Sequence, residues 1–309
     1  MSGHDRHAHG NVSGSTDSKR LSIALALILA FMAIEVTVGV LVHSLALLSD
    51  AAHMLTDAGA LLLSLVTIRL IARPAKGNLT FGLKRAEILS AQANGYTLLF
   101  LAGLIVFEGI RRLISPPSPG GLAILIVALA GIGVNLLATW QLAKANRESM
   151  NIRGSFQHLL TDLLAFVFTA VAGVVILATG FVRADGIASL VVAAIMLRAA
   201  YGLLRDSGRV LLEAAPEGMN VEAIGKSLAE HPRVRNVHDL HVWQIGSGFP
   251  ALSAHVLVAP GDDCHGVRAE LERSLAARFG IEHTTLQVDH AREAVLVKTL
   301  ASSSAALDS

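Results

Sequence analysis

The pentapeptide HMLTD occupies residues 53–57, and HLLTD occupies residues 158–162. In both copies a histidine precedes an aspartate by four residues, within a stretch that is otherwise rich in apolar residues. Residues four apart lie on one face of an α-helix, so the imidazole and the carboxylate of each copy point the same way. An ionisable side chain at the centre of a lipid bilayer costs roughly 2.5–3.5 kcal/mol. Two matched pairs in apolar helices therefore indicate side chains that have partners and a function.

The composition is that of a membrane protein. Hydrophobic residues make up 53% of the 309 residues and charged residues only 16%, whereas soluble domains contain about 25% charged residues. The mean hydropathy is +0.57. The chain has no cluster of Lys and Arg that would indicate a nucleic-acid partner. Its one cysteine, Cys264, excludes an intramolecular disulfide framework.

The chain is predicted to divide into four segments. The first is polar, and its histidines (His4, His7 and His9) could bind metal loosely, although such tails also occur without function. The first apolar run lacks a convincing signal-peptide cleavage site. The predicted segments are a disordered tail (1–20), a transmembrane domain (21–204), a cytoplasmic α+β domain (205–291) and a second disordered tail (292–309).

Six stretches are long and apolar enough to cross a bilayer, which takes about 20 residues in a helix. The sequence SPPSPGG at 115–121 separates the third stretch from the fourth, because its prolines and glycines end one helix and begin another. The spans are predicted at about 21–42, 45–71, 88–113, 120–141, 154–179 and 186–204.

Lys and Arg in the flanking segments predict the orientation of these spans. Counted together with the adjoining ends of the spans, the N-terminal tail and the segments after the second and fourth spans carry 11 of them, and the opposite flanks carry 3. Positive residues are enriched on the cytoplasmic side of a membrane. Both termini are therefore predicted to be cytoplasmic. The compact loops favour a bacterial inner membrane, with an organelle membrane as the alternative.

The C-terminal domain alternates between helical and strand patterns. Residues 219–231 form an amphipathic helical pattern, and a second helix is predicted at 264–279. Strands are predicted for NVHDLHVWQIG (236–246), PALSAHVLVAP (250–260) and HTTLQVDH (283–290). The order α-β-β-α-β predicts a small sandwich in which helices cover one face of a sheet.

The twin pentapeptides predict a metal site between the second and fifth spans. If these spans pack face to face, two imidazoles and two carboxylates converge, namely those of His53, Asp57, His158 and Asp162. Two nitrogens and two oxygens form a tetrahedral cage suited to Zn²⁺, and a dication between carboxylates offsets the cost of burying their charge. The alternative is a pair of His–Asp hydrogen bonds that only hold the two helices together.

Other polar residues in the spans have simpler interpretations. Asp50 lies about one turn before His53 and could be a relay carboxylate or a partner for a polar group on a neighbouring helix. Asn94 and Asn135 are predicted to make interhelical hydrogen bonds. Glu108 is predicted to form a local ion pair with the two arginines that follow it in the third span.

Five stretches spread over the chain combine these features. They are SLALLSDAAHMLTDAGALL (44–62), FGLKRAEILSAQANG (81–95), GSFQHLLTDLLAFV (154–167), VHDLHVW (237–243) and HTTLQVD (283–289). Together they resemble the cation diffusion facilitator family of zinc-exporting secondary transporters, from about residue 20 to residue 290. The resemblance implies that the four pentapeptide ligands form the transport site and that an all-His/Asp quartet prefers zinc.

The resemblance also implies a homodimer that exchanges metal for protons and has a ferredoxin-like, metallochaperone-like cytoplasmic domain. Some bacterial members have a third metal site between the second and third spans. Residues 72–84 contain neither Asp nor His, which places this chain nearer the zinc-exporter branch. A regulatory metal in the cytoplasmic domain would fall on His238, His255, His283 and Asp289, with His265 as a further position and His241 and Cys264 as other candidates.

These features predict a membrane transporter that exports Zn²⁺ from the cytoplasm by alternating access in exchange for protons. Ligands must lose their protons to bind metal, so metal and proton compete for one site. The chain has no GxxxxGK[ST] motif, so a built-in ATPase is not expected. One alternative is a membrane-bound metal sensor without transport. The other is an intramembrane zinc metalloenzyme, which needs an open coordination position and a general base.

Overall fold

The structure is a computed structural model that describes residues 9–41, 45–115, 121–145 and 149–291. Six long helices are followed by two shorter helices and three strands. The long helices are α1 (His9–Leu41), α2 (Leu45–Ile71), α3 (Ala86–Ile114), α4 (Gly121–Ala143), α5 (Met150–Thr179) and α6 (Ala184–Leu211).

Five of the long helices are apolar enough to cross a membrane, and α3 is not among them. The five are α1, α2, α4, α5 and α6, judged over the residues that the structure describes. Helix α3 is 29 residues long but buries three polar side chains near its start, those of Glu87, Ser90 and Asn94. The prediction of membrane-spanning helices is confirmed for five, and the count of six is not.

Two boundaries differ from the sequence prediction. Helix α1 already begins at His9, inside the segment predicted as a disordered tail, and buries Asp17 and Leu21. Once a helix is nucleated, each added residue costs little, so the polar segment continues the apolar one. Helix α6 runs on to Leu211, beyond the predicted domain boundary at residue 204. The predicted C-terminal tail (292–309) lies outside the described residues.

The long helices pack as two groups around apolar side chains. Helices α1, α2, α4 and α5 share one core that includes Ile28, Leu61, Leu142 and Leu159. Helices α3 and α6 pack along each other through a second core, which contains Leu98, Leu101, Ala102, Val192, Met196 and Ala200. Helix α5 contacts both groups, because it also packs against α3 and α6.

The C-terminal unit has the predicted order α-β-β-α-β. Its elements are α7 (Val221–Ala229), β1 (Val234–Gly246), β2 (Phe249–Val258), α8 (Cys264–Phe279) and β3 (His283–His290). The sheet order is β1-β2-β3, with β2 parallel to β3. Strands β1 and β2 are joined by only two residues, which is the length of an antiparallel hairpin turn.

Helices α7 and α8 share an apolar core with the strands. Ile224 and Leu228 of α7 and Leu271 and Leu275 of α8 are buried in the same cluster as the inward-facing residues of β2. Helix α8 begins at an aspartate cap, because Asp263 accepts a hydrogen bond from a backbone N–H in the first turn. The α+β prediction is confirmed. Residues 244–249, which include the β1–β2 turn, group with the first compact unit, and residues 215–243 and 250 onward form the second.

Candidate metal centre

Helices α2 and α5 bring Asp57 and His158 together in the interior of the first unit. Nε2 of His158 lies 2.8 Å from Oδ1 of Asp57. His158 is 1% exposed and Asp57 is 7% exposed. Met54, three residues before Asp57, and Leu159, next to His158, are buried in the shared apolar core. Water is therefore largely excluded, and charge interactions between these groups are stronger than they would be in solution.

Asp162 completes a cluster of three possible metal ligands. It follows His158 by four residues on α5, and its Oδ2 lies 3.8 Å from Nε2 of His158. One ligand atom each from Asp57, His158 and Asp162 lies within 4.8 Å of the other two. Among the residues that the structure describes, this is the one group of three or more His, Cys, Asp or Glu side chains with such spacing.

The distances in this cluster suit a small divalent cation. Zinc bonds of about 2.0–2.2 Å in a tetrahedron place neighbouring ligand atoms about 3.4 Å apart. The two nitrogen–oxygen distances of 2.8 and 3.8 Å lie on either side of that value. Small side-chain movements would therefore close the cluster around an ion. Two carboxylates also match the charge of a dication.

The fourth predicted ligand is placed by its backbone alone. His53 lies on α2, four residues before Asp57, so the helix puts both residues on one face. Its side chain lies outside the described part of the chain, as does that of Asp50. The structure therefore brings together three of the four predicted transport-site residues and leaves the side chain of the fourth undescribed.

Contacts around the imidazole fix its position through one nitrogen. Nε2 of His158 carries both carboxylate contacts, and its Nδ1 is buried with no hydrogen-bond partner among the described residues. Thr161 donates to the backbone carbonyl of His158 at 2.7 Å. Thr139 of α4 donates to the carbonyl of Leu159 at 3.4 Å. Helix α4 therefore supports the segment of α5 that carries the cluster.

The predictions for the single polar residues of the spans are only partly confirmed. Nδ2 of Asn135 donates to the carbonyl of Gly131 on its own helix, 3.3 Å away, instead of across helices. No hydrogen bond of Asn94 to another helix is seen among the described residues, although its amide lies against Gly154 of α5. Glu108 does form the predicted local ion pairs, at 3.5 Å from Arg111 and 3.1 Å from Arg112.

Sequence reasoning missed several buried or partly buried charged groups in the helices. Glu35 of α1 is 4% exposed, although it lies inside the first predicted span. Arg112 also pairs with Asp185 of α6, and Arg153 of α5 pairs with Asp206 of α6. A charged residue within each apolar stretch was the available signal. The partners could not be read from the sequence, because they depend on which helices pack together.

In the C-terminal unit, the structure brings His238 and His255 together around an aspartate that sequence reasoning did not select. Their rings are 5.3 Å apart, edge to face. Asp239 lies 2.9 Å from Nε2 of His241 and 3.9 Å from Nε2 of His255. The hydrogen bond from His241 holds the pKa of the Asp239 carboxyl below its usual range. This group of three histidines and one carboxylate is exposed on β1 and β2.

His283 and Asp289 do not meet at one point. They lie near the two ends of β3, where His283 pairs with Ala251 of β2 and Asp289 pairs with Leu257. Six residues of strand separate them, or about 20 Å at 3.3 Å per residue. One ion cannot contact both within one chain. Asp289 lies nearer to His255 than His283 does, since His255 is opposite residue 287.

The remaining candidates of this unit lie around the start of α8. His265 is the second residue of that helix, and its backbone N–H donates to Asp263. Sγ of Cys264 lies 3.4 Å from Nε2 of His290, which is also 3.0 Å from the carbonyl of Asp262. His265 and Cys264 are therefore placed at α8 and not at the His238–His255 group.

Two family models together match nearly the whole chain. The cation efflux transmembrane domain matches residues 21–212, and the cation efflux protein cytoplasmic domain matches residues 216–291. The boundary between them agrees with the end of α6 and with the division into two compact units. The two matches therefore follow the two units of the structure except at residues 244–249, which lie in the second match but group with the first unit.

Curated relatives match over almost their full length. A zinc transporter ZitB of Pectobacterium atrosepticum is 38% identical, covering 93% of this chain and 89% of the relative. A cadmium, cobalt and zinc/H(+)-K(+) antiporter of Bacillus subtilis is 36% identical, covering 90% and 91%. A cation efflux system protein CzcD of Alcaligenes is 36% identical, covering 92% and 89%. With its membrane helices, its cytoplasmic domain and these relatives, the chain belongs to the cation efflux, or cation diffusion facilitator, family of metal transporters and is not an enzyme.

Proposed function

We propose that the protein exports Zn²⁺ from the cytoplasm in exchange for protons, through a mid-membrane site of Asp57, His158 and Asp162 with His53 as the fourth ligand. The observation that supports this proposal is the buried three-ligand cluster between α2 and α5. A relative named as a zinc transporter and another named as a zinc/H(+)-K(+) antiporter support the cargo and the exchange.

The contact between His158 and Asp57 supports proton exchange at this site. A nitrogen and a carboxylate oxygen 2.8 Å apart need a proton between them, since neither atom can donate without one. A metal ion that binds Nε2 of His158 must displace that proton. Metal and proton therefore exclude each other from the same nitrogen.

We place both termini and the C-terminal unit on the cytoplasmic side of a bacterial inner membrane, with α3 as the sixth span. The excess of Lys and Arg on the flanks supports this orientation. The ends of α2 and α3 that meet at residues 72–85 then face the cytoplasm. Metal enters from that side, and alternating access opens the site to the opposite side, where protonation of the ligands releases it.

The C-terminal unit is proposed to bind Zn²⁺ as a regulatory ligand and to pair two chains as a homodimer. The group formed by His238, Asp239, His241 and His255 supports a metal site on its open sheet face. His283 and Asp289 are too far apart to share one ion, so each would act with ligands of its own. The same group would serve a sensor without transport, and flux measurements separate the two functions.

Zinc flux into proteoliposomes tests the proposal. Asp57→Asn and Asp162→Asn keep the size of each side chain but remove the charge that attracts the cation and replace one carboxylate oxygen by an amide nitrogen. We expect each variant to lose at least about 90% of zinc flux, since an amide is a much weaker zinc ligand than a carboxylate. Flux is followed with a zinc-sensitive dye inside the vesicles.

Glu108→Gln is the matched control, because it removes a carboxylate from the membrane helices outside the cluster. It should retain most of the flux. Equal flux in wild type and both aspartate variants would contradict the transport site. Zinc bound by the C-terminal unit without any flux in wild type would instead favour the sensor.

A further inference from the structure

A polar stripe connects the metal centre to one end of the helix bundle. On α5 it consists of the buried Asn151, Ser155 and His158 and the half-buried Asp162, whose spacing of four, three and four residues keeps them on one face. Seven residues separate Asn151 from His158, which is about 10 Å along the helix. The stripe thus runs from the cluster to the first turn of α5, at the end proposed to face the cytoplasm.

Helix α2 presents a matching polar residue to this stripe. Ser64 lies seven residues from Asp57, so it faces α5 about two turns away from the cluster. Its hydroxyl is 2.6 Å from the hydroxyl of Ser155. Both serines and Asn151 are 0% exposed. The space between α2 and α5 on this side of the metal centre is therefore polar but closed to water.

Asn151 closes the stripe by joining three helices. Its Oδ1 accepts a hydrogen bond from Ser90 of α3 at 2.7 Å, and its Nδ2 donates to the backbone carbonyl of Ser64 at 3.0 Å. The amide oxygen and the amide nitrogen of Asn151 thus together hold the start of α5 against α3 and α2. Next to it on α3, Nδ2 of Asn94 is buried without a hydrogen-bond partner among the described residues.

We propose that Asn151 is the gate on the cytoplasmic side of the metal centre and that the stripe behind it is the entry route of the cation. In the closed form seen here, its two hydrogen bonds seal the route. When α5 moves away from α2 and α3, these bonds break, and the freed amide and serine oxygens line a path for a divalent cation. This inference rests on the proposed transport site for its destination.

Access of a thiol reagent to Ser155 tests the gate. Cysteine replaces Ser155 in a Cys264→Ser background, and a water-soluble cationic methanethiosulfonate reagent is added to the cytoplasmic side of oriented vesicles holding the full chain without zinc. We expect Asn151→Ala to raise the labelling rate of S155C about tenfold, the order expected when two hydrogen bonds leave the closed form. Ser90→Ala, which removes one of the two bonds, should give a smaller rise.

Two controls make the result specific. Thr161 lies three residues beyond His158, on the side of the metal centre away from Asn151. Asn151→Ala should not raise the labelling of Thr161→Cys from the cytoplasmic side. Arg153→Gln removes the ion pair that ties the same turn of α5 to Asp206 of α6, without touching the stripe. An equal rise with Arg153→Gln would overturn the gate, because it would show general loosening of the helix start. Unchanged labelling in folded Asn151→Ala would also overturn it.

Zinc flux of the parent cysteine variant is measured separately. If that flux depends on Asp57 while Asn151→Ala leaves labelling unchanged, the transport site stands and the gate fails. If labelling rises but flux does not depend on Asp57, the stripe opens as proposed but does not lead to the transport site. That result would overturn its assignment as a cation route.

Discussion

His158 contacts two carboxylates through a single ring nitrogen, and this detail determines how the site responds to pH. In the proposed site, a proton shared by Nε2 and Asp57 would have to leave before a metal could bind there. The sequence spacing of each pentapeptide predicted that a histidine and an aspartate share a helix face. It could not predict that Asp57 of one helix lies closer to His158 than Asp162 of the same helix does, because that depends on the packing of α2 against α5.

We expect the zinc affinity of the membrane site to fall as the pH falls. Protons compete for Nε2 of His158, so each bound zinc should release at least one proton. Isothermal titration of the purified protein in buffers of different ionisation enthalpy measures this release. In His158→Ala the affinity should be weaker and the proton release smaller. Proton release that is identical in wild type and His158→Ala would contradict the role of this imidazole.

Helix packing around the site depends on small residues that the sequence pattern did not single out. Helix α4 supports α5 where Gly131 lies against the ring of Phe166, and a Cβ at Gly131 would overlap that ring. The apolar pattern predicted both helices. It could not show which glycine makes the close approach, because other glycines of the long helices have open space beside them, among them Gly59, Gly103 and Gly133.

We therefore expect Gly131→Ala to destabilise the membrane unit by about 1–3 kcal/mol, as overpacked cores usually are. Gly133→Ala on the same helix meets nothing within 4 Å and should be neutral or slightly stabilising, since alanine favours helix more than glycine does. Thermal unfolding in detergent compares the two variants. Equal midpoints would show that α4 and α5 do not pack closely at Gly131.

In the C-terminal unit, Glu270 ties α8 to the segment before β1. Hydrogen bonds from Arg233 at 2.6 Å and His231 at 2.9 Å hold the pKa of Glu270 below its ordinary value of 4.5. A carboxyl with a lowered pKa stabilises the fold at pH values above its unfolded pKa, and this stabilisation is lost as the pH falls through the folded pKa.

Glu270→Gln should therefore increase hydrogen exchange in α8 at pH 7 and make little difference below the folded pKa of that carboxyl. Glu272→Gln is the control, because Glu272 pairs with Arg268 on the same helix. Hydrogen exchange of the full chain followed by mass spectrometry gives the comparison, with rates corrected for pH. A difference between Glu270→Gln and wild type that persists undiminished at acid pH would contradict the assignment.

For the whole molecule, composition and periodicity predicted a helical membrane domain followed by an α-β-β-α-β domain, and the structure and the family models agree with both. The predicted boundary at residue 204 was too early, because α6 continues as a polar helix to Leu211 after its apolar part ends. Hydropathy marks where a helix is apolar and does not mark where it stops.

In the C-terminal unit, the family resemblance grouped His283 and Asp289 with His238 and His255. Six residues of β3 separate the first two by about 20 Å, and the predicted strand at 283–290 already implied this separation. The carboxylate that does lie among the histidines, Asp239, is the neighbour of a predicted ligand in sequence. Strand alternation would place the neighbours His238 and Asp239 on opposite faces. The positive φ of Asp239 (55°) interrupts that alternation.

The measurement that tests the exchange of zinc for protons most directly is simultaneous recording of zinc and pH inside proteoliposomes. Zinc is added outside inside-out vesicles that hold a zinc-sensitive dye and a pH-sensitive dye. We expect the interior pH to rise as zinc enters, with both signals absent in Asp57→Asn. Zinc entry at the wild-type rate with no change of interior pH would contradict a site that zinc and protons share.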